Sequence, residues 1–262
     1  MKENYHTHTT RCRHALGSEE EYIQHAIDHK LTTLGFADHT PYLFLGTYYS
    51  TFRMYPHQIQ DYAETILKLK EKYADQIEIR LGLEVEYYPD RLEDMLELIK
   101  PHGIEYMILG QHFCGNEQDS FYSGTPTDST EKLQQYCDQV IAAMDTNLFS
   151  YVAHPDLICF TGDPDTYRQH MTRLCQAAKD RHIPLEINLL GLREQRHYPN
   201  ETLLQIAGEI GCSMVLGSDA HRPEHVTDAI TEARALELVK KYNVPLLEHI
   251  PIHPYRRSAL AK

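Results

Sequence analysis

Two hydrophobic periods alternate along the chain. Short continuous apolar runs occur at Asn4–His6, Thr33–Ala37, Glu78–Glu84, Glu105–Gln111, Phe149–His154, Pro184–Asn188 and Ser213–Ser218. Runs of that length without polar alternation predict strands buried on both faces of a parallel sheet. Between them the apolar positions recur every three to four residues. Ser18-Glu-Glu-Glu21 is a capping box that opens a helix over Glu19–Lys30, with Tyr22, Ile23, Ala26 and Ile27 on one face. Ile59, Tyr62, Ala63, Ile66, Leu67 and Tyr73 form a second stripe, and Pro89 and Pro101 bracket a third helix. Further helices are predicted over Asp128–Asp145, from the Asp163-Pro164 start to about His182, over Pro199–Ile210 with Gly211 as its stop, and over Glu224–Lys241.

Seven βα units with no linker between them predict one domain over residues 1–262 with right-handed crossovers and a parallel sheet. A sheet built this way is either doubly wound or closed into a barrel, and seven units rather than eight suggest an irregular barrel. No G-x-G-x-x-G dinucleotide fingerprint occurs. Two long segments, Pro41–Pro56 and Phe113–Thr127, carry no helical stripe and are expected to be loops that cover something.

Composition narrows the picture. A net charge of −13 disfavours nucleic acid as a partner, because phosphate backbones are held by basic surfaces. There is no apolar run long enough for a membrane span and no secretory h-region after Met1, so a cytoplasmic protein without membrane partners is expected. Six cysteines without a C-x-x-C pair fit a reducing compartment. Histidine is the outlier, with 17 copies.

The histidines fall where a parallel α/β fold puts its chemistry. The predicted strands end in His6-Thr-His8, Asp38-His39, Glu84, His112, His154 and Asp219-Ala-His221, and the sixth ends in Asn188. In parallel barrels these C-terminal ends converge on one face. Residues two apart in an extended segment share a side, so H-T-H and D-A-H each aim two ligand types together. A mixture of imidazole and carboxylate suits zinc, iron or manganese.

In this order the motifs H-T-H, His14, D-H, G-L-E, G-Q-H, A-H-P-D, E-I-N and G-S-D-A-H resemble the polymerase-and-histidinol-phosphatase (PHP) superfamily along essentially the whole chain. More narrowly, H-T-H-T-T-x-C-x-H-A-x-G-S, G-F-A-D-H-T-P, G-L-E-V-E-Y, H-P-D-L and L-E-I-N-x-x-G-L-R are similar to its monofunctional histidinol-phosphate phosphatases. The resemblance implies a distorted (β/α)7 barrel and three divalent transition-metal ions. It implies that His6, His8, Glu84 and Asp219 hold the first ion, Glu84, His112 and His154 the second, and His14, His39 and His221 the third. The implied activity is hydrolysis of L-histidinol phosphate, a small phosphorylated substrate, by a metal-activated hydroxide.

Other assignments follow from position. Asp38 and Asp156 are candidates for the leaving-group acid or for groups orienting His39 and His154. Arg193, Arg196 and Asn188, after the sixth strand, are candidate substrate contacts, as is Arg53 in the aromatic loop. His25 and His29 share a helix face away from the strand ends and are expected to be solvated. His249 and His253 are separated by Pro251, so no metal-binding helix is expected there. Arg256 and Arg257 are expected in a solvated tail. Two alternatives remain at this stage: a PHP phosphoesterase acting on nucleotides, nucleic-acid ends or phosphotyrosine, and a non-catalytic metal-binding protein.

Overall fold

The computed structural model describes residues 1–118 and 120–253. Its elements run β1 (Glu3–Asn4), α1 (Glu19–Asp28), β2 (Thr33–His39), α2 (Ile59–Lys72), β3 (Glu78–Val85), α3 (Leu92–Ile99), β4 (Tyr106–Leu109), β5 (Phe113–Cys114), β6 (Phe121–Tyr122), α4 (Thr130–Met144), α5 (Pro164–Asp180), β7 (Leu185–Asn188), α6 (Leu189–Arg193), α7 (Glu201–Ile210), β8 (Met214–Gly217) and α8 (Ala229–Tyr242). The fold is mixed α/β with a curled parallel sheet. Strands β1-β2-β3-β4 form one parallel run and β7-β8 another.

The predicted strand Phe149–His154 does not form a regular ladder. Val152 instead makes single parallel bridges to Leu109 and to Leu185, which join the two runs. The chain turns at His154, whose φ of +29° ends any extended pairing. A further single bridge, Thr7 to Ala220, links the two outer ends of the sheet.

Side chains alternate across the curl as strand geometry requires. Leu34, Phe36, Met107, Leu109, Met214 and Leu216 join the large core under the helices. Tyr5, Ala37, Tyr106, Ile108, Tyr151, Ala153 and Val215 form a smaller inner cluster on the opposite face. The Tyr106 hydroxyl donates to the Tyr5 and Phe36 carbonyls at 2.8 and 3.2 Å. Its ring lies against Gly35 and Gly82, where any Cβ would collide with it.

The helix starts follow their caps. Ser18 accepts from Glu21 N and Glu21 returns the bond; Asp163, with Pro164 after it, accepts from Thr166 N. The helix expected from Pro199 starts at Glu201, with Asn200 as its cap. The segment predicted as one helix from Glu224 is a 3₁₀ turn at Pro223–His225 followed by α8, because Asp228 caps Thr231 and starts the helix there. Residues 41–55 form no helix or strand, as expected. The second long segment is not structureless: β5 and β6 pair antiparallel within it. The Arg256-Arg257 pair lies outside the described residues. Among those described, no helix is long and apolar enough to cross a membrane.

Candidate metal centre

The strand ends bring the nine predicted ligand residues to one place. Glu84, at 1% exposure, lies at the centre. Its Oε1 lies 2.8 Å from His154 Nε2 and 3.5 Å from His112 Nε2. Its Oε2 lies 2.8 Å from His39 Nδ1, 3.6 Å from His8 Nε2 and 3.7 Å from His6 Nε2. Gly110 makes room for it, since a Cβ at that position would fall on the Glu84 carboxylate. Asp219 Oδ1 stands 3.1 Å from His8 Nε2 and 3.5 Å from His6 Nε2. On the outer side, His221 Nε2 and His14 Nε2 face each other at 2.8 Å, and the His8 and His221 rings stack at 4.1 Å.

This geometry passes a test for cation binding. Ligand atoms at about 2.0–2.1 Å from a tetrahedral zinc lie about 3.3 Å from one another, which is the spacing seen here. The triads His6–His8–Asp219, His6–Glu84–His154, His8–His39–Glu84 and His14–His39–His221 each gather their ligand atoms within 4.8 Å. His6 Nε2 is fully buried with no hydrogen-bond partner, a costly state for a polar atom that has no ligand to meet. Two of the predicted ligands, His154 and Asp219, adopt left-handed φ values of +29° and +47°, and backbone strain of this kind collects at functional sites.

Protonation follows the same layout. Burial holds His39 and His221 well below the ordinary imidazole range and lowers His14, so all three present neutral rings. Burial also disfavours charge on His8, but Asp219 and Asp38 outweigh it and raise the ring to about 9. Glu84 and Asp219 are held well below the carboxylate range: burial opposes this, and the surrounding imidazoles prevail.

Two carboxylates that the sequence reading missed hold the predicted ligands from behind. Glu186 Oε1 is 2.8 Å from His6 Nδ1, while its Oε2 accepts from His154 N at 2.9 Å and Asn188 Nδ2 at 2.8 Å. Glu86 Oε1 is 2.9 Å from His112 Nδ1. Each fixes the ring so that Nε2 faces Glu84 or Asp219, the arrangement by which a carboxylate orients a metal-bound imidazole. The available signal was spacing: Glu86 is two residues beyond Glu84 and Glu186 two before Asn188, so each pair shares a face.

Several predicted roles need correction. Asp38 meets His8 rather than the His39 ring. Its Oδ1 lies 3.4 Å from His8 Nδ1 and accepts from His39 N, and its Oδ2 accepts from the Thr9 backbone and hydroxyl. Asp156 accepts from Asn200 N, and burial pushes its carboxyl up to about 7. Neither acid lines the cavity above the cluster, so neither stands where a leaving group would be protonated. Asn188 is no substrate contact: its Nδ2 is spent on Glu186 and Asp219 and its Oδ1 caps Gly191 N. Arg53 is 1% exposed and ion-paired with Glu86 and Glu117, because its planar fork matches two buried carboxylates. Arg196 reaches the cavity, with its fork held by Glu194 at 2.9 and 2.6 Å and its Nη1 donating to Tyr198. The three Arg193 nitrogens make no hydrogen bond, and the nearest acid, Asp228, is 3.8 Å away. His25 and His29 stack on each other on α1, with His25 Nε2 against Thr227.

The cavity has a volume of about 610 Å³. The metal-ligand types form its floor, and Phe52, Phe113, Tyr122, Tyr198 and Glu194 form its walls. That volume suits a small molecule.

Fold and site together define a class. The chain belongs to the PHP domain family, whose profile matches residues 4–189. Among its relatives, a probable histidinol-phosphatase of Deinococcus radiodurans is 29% identical over 239 residues, covering 87% of this chain and 91% of that protein. The histidinol-phosphatase of Bacillus subtilis is 26% identical over 257 residues, covering 85% and 94%. The crystal structure of histidinol phosphate phosphatase from Lactococcus lactis, complexed with zinc, L-histidinol and phosphate, superposes with a TM-score of 0.73 at 20% identity, covering 94% of this chain and 95% of that one.

Proposed function

We propose that this protein is a metal-dependent phosphomonoesterase that hydrolyses L-histidinol phosphate to L-histidinol and phosphate. The observation that carries the reading is the convergence of seven imidazoles and two carboxylates, with Glu84 at their centre, beneath a small-molecule cavity that five of the imidazoles and both carboxylates line. The names of the relatives support the choice of substrate. In this reading His6, His8, Glu84 and Asp219 hold one divalent ion, Glu84, His112 and His154 a second, and His14, His39 and His221 a third. When bound, such ions polarise phosphoryl oxygens and lower the pKa of water. Zinc, iron and manganese all suit the donor set.

The chain's own residues do the rest. Glu186, Glu86 and Asp38 engage Nδ1 of His6, His112 and His8, so that Nε2 is the nitrogen each ring would turn to an ion, which would displace any proton held there. Arg193 stands on α6 next to the cavity-lining residues Leu190 and Glu194; its guanidinium nitrogens are buried beside the cavity without a hydrogen bond, so its fork would meet a phosphate only by turning toward the cavity. Phe52, Phe113, Tyr122 and Tyr198 offer faces to an imidazole, and Glu194 puts a carboxylate near a cationic amine. The bridges at Val152 and at Thr7–Ala220 support reading the curled sheet as a distorted (β/α)7 barrel. The free state of all six cysteines supports a cytoplasmic setting.

The test is phosphate release from L-histidinol phosphate beside p-nitrophenyl phosphate, a nucleotide and a phosphotyrosine peptide. Selective turnover of the first supports the assignment. Turnover of the nucleotide or the peptide with histidinol phosphate inert would overturn it.

A further inference from the structure

Among the described residues Arg53 is the largest fully buried side chain, and none of its hydrogen bonds goes to a predicted ligand. All five of its N–H donors are used. Nε donates to Glu117 Oε2 at 2.8 Å, Nη1 to the Thr40 carbonyl at 2.8 Å and Glu86 Oε2 at 2.9 Å, and Nη2 to Glu86 Oε1 at 2.7 Å and Glu117 Oε2 at 2.6 Å. Three separate segments therefore meet at one guanidinium: the 41–55 loop that carries Arg53, the residue after β3, Glu86, and the 113–127 segment that carries Glu117.

Each arm of this cluster leads to the cavity. Glu86 Oε1 also receives His112 Nδ1, so the guanidinium holds the carboxylate that holds the ring. Phe52, beside Arg53 and 4.5 Å beneath its guanidinium, packs against the His39 and His112 rings at 5.1 and 5.6 Å and against Phe113 at 6.0 Å. Tyr48, on the same loop, donates to Glu117 Oε1 at 2.8 Å. The cluster pairs one cation with two carboxylates, and its surplus negative charge faces His112, which favours a cation on the far nitrogen of that ring. Buried ion pairs add little net stability, because desolvation offsets their attraction. Stability alone is therefore a poor reason for this cluster, whereas fixed geometry is a good one.

We propose that Arg53 is a positioning residue. Through Glu86 it sets the orientation of His112, and through Glu117 it pins the 41–55 loop to the 113–127 segment, the two segments that bring Phe52 and Phe113 to the cavity wall. This rests on reading the nine-residue cluster as a metal centre. Lysine keeps the charge at position 53 but cannot span both carboxylates and the Thr40 carbonyl. Glu117→Gln keeps the Arg53–Glu86 pair and weakens only the loop arm.

The experiment compares zinc-loaded wild type, Arg53→Lys, Glu117→Gln and Leu204→Ala, the last a core truncation in α7 that lowers the melting temperature without touching the cavity. Zinc transfer to a chromogenic chelator is measured beside kcat and KM for L-histidinol phosphate. Arg53→Lys should release zinc several-fold faster, up to about the 10-fold lower end of the affinity loss seen when a ligand's direct partner is removed, and should raise KM. Glu117→Gln should raise KM and leave zinc release as in wild type. Leu204→Ala should change neither. Wild-type release from Arg53→Lys, or equal acceleration in Leu204→Ala, would overturn the proposal. Should Arg53→Lys fail to fold, Glu86→Gln tests the ligand arm, and unaltered zinc release there is equally fatal. Zinc release needs no substrate, so a wild type that holds zinc but leaves histidinol phosphate intact refutes the substrate assignment alone.

Discussion

Glu186→Gln removes one charge and exchanges one acceptor for a donor, at a site where every partner is a donor. Oε1 receives His6 Nδ1, and Oε2 receives His154 N and Asn188 Nδ2. Glutamine must turn its NH2 to one side or the other. Turned toward His154 and Asn188, it opposes two buried donors at about 1–3 kcal/mol each. Turned toward His6, it opposes one, and His6 relieves the conflict by moving its proton to Nε2. The second orientation wins. It is harmful for another reason: Nε2 is the nitrogen that lies 3.5 Å from Asp219 and 3.7 Å from Glu84, and once protonated it has no lone pair for a metal. The expected outcome is a folded protein whose zinc affinity falls about 10–100-fold, or about 1.4–2.8 kcal/mol. Competition against a chelator of known affinity measures the first, and nitrogen NMR of the His6 ring reports the tautomer. Wild-type affinity with the proton still on Nδ1 would refute the reasoning.

Further outcomes follow from the same geometry. His112→Ala and Asp219→Ala should each nearly abolish phosphate release while circular dichroism stays native; near-wild-type turnover in either would remove that residue from the centre. Arg193→Ala should mainly raise KM for the phosphorylated substrate, and an unchanged KM would return Arg193 to a structural role. Burial pushes the Cys137 thiol from 9.0 up to about 12. The folded state then keeps a proton that the unfolded chain releases, so stability is full below about pH 9 and falls as pH rises toward 12. Between pH 8 and pH 10.5 wild type should lose about 2 kcal/mol more in urea melts than Cys137→Ala, and parallel losses would contradict this.

The helices were legible because their ends are local: Ser18 and Asp163 satisfy backbone donors within their own first turns. Six of the seven predicted strands were legible in place, but β1 pairs for only two residues and the Val152 segment only through single bridges, with left-handed backbone at His154 ending the latter; the short β5–β6 pair was missed because two residues each carry no period. Helix α6 was missed because five residues, Leu189–Arg193, carry too little periodicity. The ligand residues showed themselves by ending strands. What they rest on did not, since Glu86, Glu117 and Arg53 are joined only by the folding of two long loops. Arg53 read as a substrate contact for the same reason: an arginine among aromatics looks exposed until two distant glutamates are seen to enclose it.

The most direct measurement is the rate of phosphate release from L-histidinol phosphate as zinc or manganese is added stepwise to metal-free protein, with bound metal counted by elemental analysis at each step. The account predicts no turnover without metal, a rise as ions bind, and saturation at three per chain. Turnover that is already full in the metal-free protein, or metal bound at that stoichiometry with no phosphate released, would contradict it.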